Sequence, residues 1–564
     1  MKFADFIYTR PDLEKIKPIF EQELNRFQTA TTAEAQIEAM SKINQIRDDI
    51  STMFNLCYIR HSINTNDDFY KNEQDYLDEI DPEVEELVTH YYQLLSTSKF
   101  RKELEQKWGK QLFALAEAQL KTFSPEVIPL LQQENKLSSD YTKLIASAKI
   151  LFEGKERTLP QLEPFAQSPD RQMRIQANKA RFGFFAEKET QLDEIYDQLV
   201  KVRTEIAKAL GYANFVQLGY ARMTRTDYDA EMVATFREQV LDYIVPVATK
   251  LRERQSKRIG VNKLKYYDES IIFHTGNATP KGTPEWIIQG GQKMYDELSP
   301  ETGEFFKYMT ENHLMDLVSK SGKASGGYCT FIENYQAPFI FSNFNGTSGD
   351  IDVLTHEAGH AFQVYLSRHF EIPEYYWPTY EACEIHSMSM EFFTWPWMKE
   401  FFKEDTEKYQ FAHLSGALLF LPYGVAVDEF QHWVYENYTA TPTERKRAWR
   451  EIEKKYLPHK DYDGLPYLEN GGFWQKQAHI YNSPFYYIDY TLAQICAFQF
   501  WKQSRHDWKT AWADYLKLCK LGGSKSFTEL VAEAGLVSPF EAGCVKSLID
   551  EIDQWLESIA DDKL

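Results

Sequence analysis

His356-Glu357-Ala358-Gly359-His360, near the middle of the chain, leaves its own backbone little choice. Two imidazoles four residues apart share a face only on a helix, where they stand one turn apart and can hold a single ion between them. The carboxylate between them, Glu357, then lies beside that ion, placed to take a proton from a water molecule. The flanking residues favour a helix. Thr347 and Ser348 offer N-cap oxygens, Asp350 and Asp352 suit a first turn, and Ile351, Leu354, Ala358, Ala361 and Tyr365 line one side.

A catalytic zinc usually takes three protein ligands and keeps one position open for water. The metzincin pattern would continue with Gly at position 363 and His at 366, where this chain has Gln363 and Leu366, so that subclass is excluded. The third ligand must then come from a separate element. Pro373 and Pro378 end the loop after the first helix, and Thr379 can cap a second, TYEACEIHSMSMEFFTW. It carries Glu381, Glu384 and Glu391. The last two are seven apart and share a face, and the pattern suits one glutamate as ligand and one as acceptor for a ligand histidine.

The rest of the chain supplies the setting. At 564 residues it exceeds the roughly 250–300 at which single cores stop growing, so two or more lobes are expected. The first two hundred residues read as amphipathic helices, with repeated apolar patterns at 33–60, 82–98, 100–122 and 139–151. The segment 148–162 predicts a hairpin. The stretch 326–346, rich in Tyr, Phe, Thr and Ile between glycines, predicts two strands around a turn at Asn334–Pro338. The class is therefore mainly α with a small sheet.

Six cysteines without CxxC spacing make neither a zinc knuckle nor a disulfide scaffold. A net charge of −21 disfavours nucleic acid and anionic membranes as partners. The N-terminus has no signal-peptide pattern, and the apolar run 414–427 is broken by Ser415, Gly416, Pro422 and Gly424, so a soluble, cytoplasmic protein is expected.

HEAGHAFQ followed by YEACEIHSMSMEFF resembles the thimet-oligopeptidase-like zinc metallopeptidases, of gluzincin type, particularly their oligoendopeptidase F and Pz-peptidase branch. The similarity extends to 326–346 and to DGLPYLENGGFWQKQAHIYNSPFYYIDYTLAQ at 463–494. It implies two helical lobes around a deep channel, with an N-terminal helical region at 1–195 and the catalytic region at 196–564. It also implies one Zn²⁺ held by His356, His360 and Glu384, with Glu391 supporting a ligand. Glu357 becomes the general base, and His479 and Tyr490, in preference to Tyr486, become donors to the oxyanion. Tyr486 and Tyr490 are four apart and share a face, whereas Tyr487 is expected to point elsewhere. Ser483-Pro484 reads as the start of their helix, with His479 on the loop before it.

The activity implied is endopeptidase cleavage of short, unstructured oligopeptides. An edge strand within 326–346 suits backbone pairing with substrate, and Gly471-Gly472 beside Phe473 and Trp474 suits a mobile loop. Two other readings share the motif. One is a peptide-binding helical protein with a structural or vestigial metal site closed by a fourth ligand such as His386. The other is a dipeptidyl carboxypeptidase, which needs a basic clamp for the substrate's C-terminal carboxylate.

Overall fold

The structure, a computed structural model, describes residues 1–564 except Ser321 and Ser325. Helices dominate, and the described strands form one hairpin and one three-stranded sheet.

Near the N-terminus, helices Leu13–Thr29, Ala33–Ile63, Asp68–Ser96 and Gln111–Leu120 bury Phe20, Leu24, Ile43, Tyr91 and Phe113 in a common core. That core is completed from far along the chain by Ile372 and Tyr375. The Tyr375 hydroxyl donates to the Trp108 carbonyl at 2.6 Å and accepts from the Leu112 amide at 3.0 Å, tying the N-terminal helices to the segment between the two glutamate- and histidine-bearing helices. The pattern at 82–98 is the second half of Asp68–Ser96, which runs through Pro82. The pattern at 100–122 divides into Arg101–Trp108 and Gln111–Leu120 at Gly109, whose φ of 86° only glycine adopts easily.

The expected hairpin pairs β1 (Ile150–Phe152) with β2 (Lys155–Arg157), antiparallel, through Glu153 and Gly154, both at positive φ. This is the turn that matches strand twist in a two-residue connection. The sheet contains β3 (Met315–Val318), β4 (Tyr328–Ile332) and β5 (Ala337–Phe344) in the order β3-β5-β4. β4 and β5 are the two anticipated strands. Their turn falls earlier than expected, at Glu333–Gln336, and Pro338 lies inside β5 opposite Phe331. β3, parallel to β5, was not anticipated, because four residues give too short an alternation to read.

β4 leaves one edge open, and the helix Ala33–Ile63 fixes its far end. Asn55 Nδ2 donates to the Phe331 carbonyl at 2.9 Å, and Ser51 Oγ to Glu333 Oε1 at 2.6 Å. The helix Gly349–Ser367 buries Ile351, Leu354, Ala358, Ala361 and Phe362. It crosses Tyr380–Phe393 so closely at Gly359 that a Cβ there would stand 2.6 Å from the His386 carbonyl oxygen. The interrupted apolar run lies in Thr406–Glu436, with Leu414, Leu418, Leu421 and Val425 buried.

Candidate metal centre

His356 and His360 project from Gly349–Ser367 as their spacing requires, and Glu384 reaches them from Tyr380–Phe393. His356 Nε2 and His360 Nε2 lie 3.3 and 3.4 Å from Glu384 Oε2, and donor atoms of the three residues all fall within 4.8 Å of one another. Two imidazole nitrogens and a carboxylate oxygen form a donor set that fits a zinc ion. Ser387 Oγ donates to Glu384 Oε2 at 2.9 Å, and the Tyr486 hydroxyl to Oε1 at 2.6 Å, so the carboxylate is held from both sides.

Behind the histidines, Glu391 Oε1 accepts from His356 Nδ1 at 2.7 Å, leaving Nε2 as the ligating nitrogen. Its Oε2 meets His413 Nε2, also at 2.7 Å. The Trp395 indole N–H can only donate and sits 3.2 Å from His413 Nδ1, so His413 carries its proton on Nε2.

Glu357 is 7% exposed, and its Oε2 has no hydrogen-bond partner among the described residues. Burial pushes its carboxyl above the ordinary glutamate range, although His356 and His360 pull the other way. Opposite it, Tyr490 Oη is 3.4 Å from His479 Nε2. Tyr423 donates to Gln477 Oε1 at 3.0 Å, which turns Gln477 Nε2 toward His479 Nδ1 at 2.8 Å. His479 therefore presents an N–H at Nε2. Burial also depresses its pKa, keeping it a neutral donor.

A cavity of about 550 Å³ contains His356, Glu357, His360, Glu384, Tyr486 and Tyr490. Tyr92 and Gln111 of the N-terminal helices and Gly327–Cys329 at the β4 edge form part of its wall. A second, of about 540 Å³, contains His413, Gln477, His479 and Tyr487, and His356 and Tyr490 line both.

All eight anticipated residues thus gather in one place, with several local corrections. The tyrosine helix begins at Tyr487, not at Ser483-Pro484, because Phe485 takes a φ of 69° that no helix tolerates. His479 lies on the short helix Ala478–Asn482, not on a loop. Tyr487 is absent from the cavity that Tyr486 and Tyr490 share, as expected, and lines the second one. Neither Thr347 nor Ser348 caps the histidine helix. Asp350 does related work by accepting from the Asn345 and Gly346 amides, each at 2.8 Å. Gly471 and Gly472 are closed against Lys446 and Tyr467 and do not form a substrate loop. His386 is fully buried, both ring nitrogens lack partners, and it is no member of the donor group. Glu381 is likewise buried away from the donors, beside Arg225 and Asp489. The sequence reading missed His413, Trp395, Gln477, Tyr423 and Ser387. Each supports a site residue; His413 and Tyr423 lie outside the motifs quoted above, whereas Ser387, Trp395 and Gln477 lie within them.

Comparison with known proteins places the chain among peptidases. A family model described as the peptidase M3 N-terminal domain matches residues 3–123, and one described as peptidase family M3 matches 294–549. The solved structure of Pz peptidase A with an inhibitor is 70% identical, with a TM-score of 0.98 over the whole of both chains. A Bacillus anthracis str. Ames protein described as an oligoendopeptidase F is 64% identical, with a TM-score of 0.93 over 100% of this chain and 99% of that one. An oligoendopeptidase F homolog from Borreliella burgdorferi is 24% identical over 425 residues, which cover 70% of this chain and 69% of the relative.

Proposed function

The chain belongs to peptidase family M3, and from that premise we propose that it is a zinc-dependent endopeptidase cutting internal bonds of short, unstructured oligopeptides. The observation that carries this reading is the convergence of His356, His360 and Glu384 in the cavity where Glu357 keeps a free, buried oxygen. When bound there, a zinc ion lowers the pKa of water toward about 7 and polarises a carbonyl.

The protein's own residues do the rest. Glu357, whose side chain lines the cavity, accepts the proton of the attacking water and returns it to the leaving amine, a role typically worth about 10²- to 10⁴-fold. Its raised pKa brings it nearer the value a neutral-pH base needs. Tyr490 and His479 donate to the developing oxyanion, each such donor being worth about 2.7–4 kcal/mol. Tyr486, engaged with Glu384, steadies the third ligand. The open edge of β4 pairs with substrate backbone irrespective of side chains. Residues 1–195 act as cover for the catalytic region 196–564, contributing Tyr92, Gln111, Leu115 and Gln119 to the cavity wall and restricting entry to flexible chains.

Glu357→Gln tests the reading. The variant should keep the wild-type zinc content, measured by atomic absorption, and lose nearly all turnover of a quenched fluorescent peptide. Undiminished turnover would overturn the mechanism, and loss of zinc would mean that Glu357 serves as a ligand.

A further inference from the structure

Away from the metal donors, one cavity holds more buried positive charge than its surroundings neutralise. It measures about 250 Å³ and is lined by Arg252, Gln255 and Arg258 of the helix Val245–Arg258, and by Phe411, Ser415 and Gly416 of Thr406–Glu436. The Arg252 and Arg258 side chains are 15% and 5% exposed. Arg252 Nη1 donates to Gln255 Oε1 at 2.8 Å and to the Glu269 carbonyl at 3.2 Å, while its Nε is buried without a partner.

The nearby carboxylates are already engaged. Glu269 also lines the cavity, but its carboxylate stands 3.9 Å from Arg252 Nη2 and only 2.7 Å from Lys460 Nζ. Asp561 pairs with Arg258 and, at 2.6 Å, with Arg254. Arg252 and Lys460 share Glu269, with Glu453 also acting on Lys460, while Arg254 and Arg258 share Asp561 and Arg258 Nε donates to the Ile272 carbonyl at 2.6 Å. Burial depresses the pKa of both cavity guanidiniums, and Arg254 and Arg252 add to the effect at Arg258. Arginine does not release its proton in a protein, so a bound anion is the remaining compensation.

The cavity's position indicates which anion. Ile272, Gly416 and Phe420 line both this cavity and the 540 Å³ one that contains His356 and Tyr490. A Cβ built on Gly416 meets no atom within 4 Å, so the glycine leaves free space where the two cavities share their lining. Glycine within a helix costs about 1 kcal/mol relative to alanine, and here it keeps that space clear.

We infer that the Arg252–Arg258 cavity binds the free C-terminal carboxylate of an oligopeptide whose scissile bond lies at the metal centre. Planar guanidiniums match a carboxylate with paired, charge-assisted hydrogen bonds. The enzyme thereby reads the distance from the cut bond to the chain end, which deepens, and rests on, the peptidase reading above.

The test uses quenched peptides of increasing length, each made as the free acid and as the C-terminal amide, with the zinc-loaded enzyme. At lengths that span the two cavities, kcat/KM should favour the acid by about ten-fold or more, carried mainly in KM. Arg252→Gln should collapse that ratio to about one. Gly416→Leu, which fills the free space at that position and leaves both arginines in place, should do the same. A ratio near one at every length in the wild type, or a preference that survives Arg252→Gln, would overturn the inference. Sodium formate distinguishes the source of the carboxylate: it should compete with acid peptides and spare amides. Formate altering amide turnover in the wild type but not in Arg252→Gln would mean a free anion occupies the cavity, and the C-terminal assignment would be wrong. Anisotropy of labelled acid and amide peptides on Glu357→Gln reads the same ratio without cleavage. The peptidase reading can therefore fail while this one is still decided.

Discussion

Replacing Glu391 by Gln changes one atom and sets two neighbours in conflict. In the wild type both carboxylate oxygens accept, from His356 Nδ1 and His413 Nε2, each at 2.7 Å. Neither histidine is free to reverse. His356 must keep Nε2 bare to serve as a ligand, and Trp395 fixes the proton of His413 on Nε2. Glutamine can accept from only one of them, and its NH₂ must face the other's N–H. One buried bond left unmade costs about 1–3 kcal/mol, and about 1.4 kcal/mol is ten-fold, so zinc affinity should fall by about 10- to 100-fold. Competition against a chromophoric chelator at neutral pH measures it. The same argument predicts a rescue. Trp395→Phe releases His413 Nδ1, the proton can move there, and Nε2 can then accept from the glutamine. Glu391→Gln with Trp395→Phe should thus regain most of the lost affinity, while Trp395→Phe alone changes it little. An affinity for Glu391→Gln within two-fold of wild type, or strictly additive losses in the double variant, would refute the reasoning.

Other perturbations separate roles that lie close together in space. Tyr490→Phe should lower kcat by about 10²- to 10³-fold with zinc retained, whereas Tyr486→Phe should mainly weaken zinc by releasing Glu384; steady-state kinetics beside chelator competition distinguishes them. Gly359→Ala places a Cβ 2.6 Å from the His386 oxygen and the Ser387 Cα, and should cost about 1–3 kcal/mol of stability in urea unfolding despite alanine's better helix propensity. Glu381→Gln should stabilise, increasingly so as pH rises. Neither Glu381 oxygen has a well-formed partner among the described residues, and burial together with the Asp489 charge holds its pKa well above the ordinary 4.5. Below that ordinary value both states are protonated. Above it the unfolded chain ionises while the fold keeps its proton, so wild type loses up to about 1.4 kcal/mol per pH unit until the raised value is reached. Urea midpoints across that window test it, and a difference independent of pH would count against it.

Legibility in the sequence followed the distance over which each feature is encoded. His356, Glu357 and His360 were readable because their relation is internal to one helix, and Glu384 and Glu391 because theirs is internal to the next. The residue pattern alone left the third ligand open among three glutamates; the family resemblance placed it on Glu384. His413 and Trp395 were invisible for the same physical reason. The contacts of His413 with Glu391 and Trp395 depend on how the long helix packs against the segment that carries both, and no spacing within either segment records that packing. β3 failed differently, being too short to show a period.

Phe485 shows most plainly where local reading ends. Ser483-Pro484 is a sound helix start by every local rule, yet the chain turns left-handed at Phe485 and the helix begins two residues later. A non-glycine residue there costs about 1–3 kcal/mol unless its surroundings impose the conformation. They do so from three places. Gln431 Oε1 accepts from the Phe485 amide at 2.8 Å, and Arg225 Nη2 donates to its carbonyl at 2.5 Å and to Asp489 at 2.8 Å. Gly219 supplies the third, since a Cβ there would lie 2.4 Å from the Phe485 ring. The two hydrogen-bond partners stand 54 and 260 residues away. The consequence falls on Tyr486, the next residue, whose hydroxyl reaches Glu384 because the helix starts late. A tyrosine one turn into a helix begun at Ser483 would leave from a different direction. The contact between donor and ligand is therefore a product of the distant Arg225 and Gln431, and the motif around Tyr486 carries no trace of it.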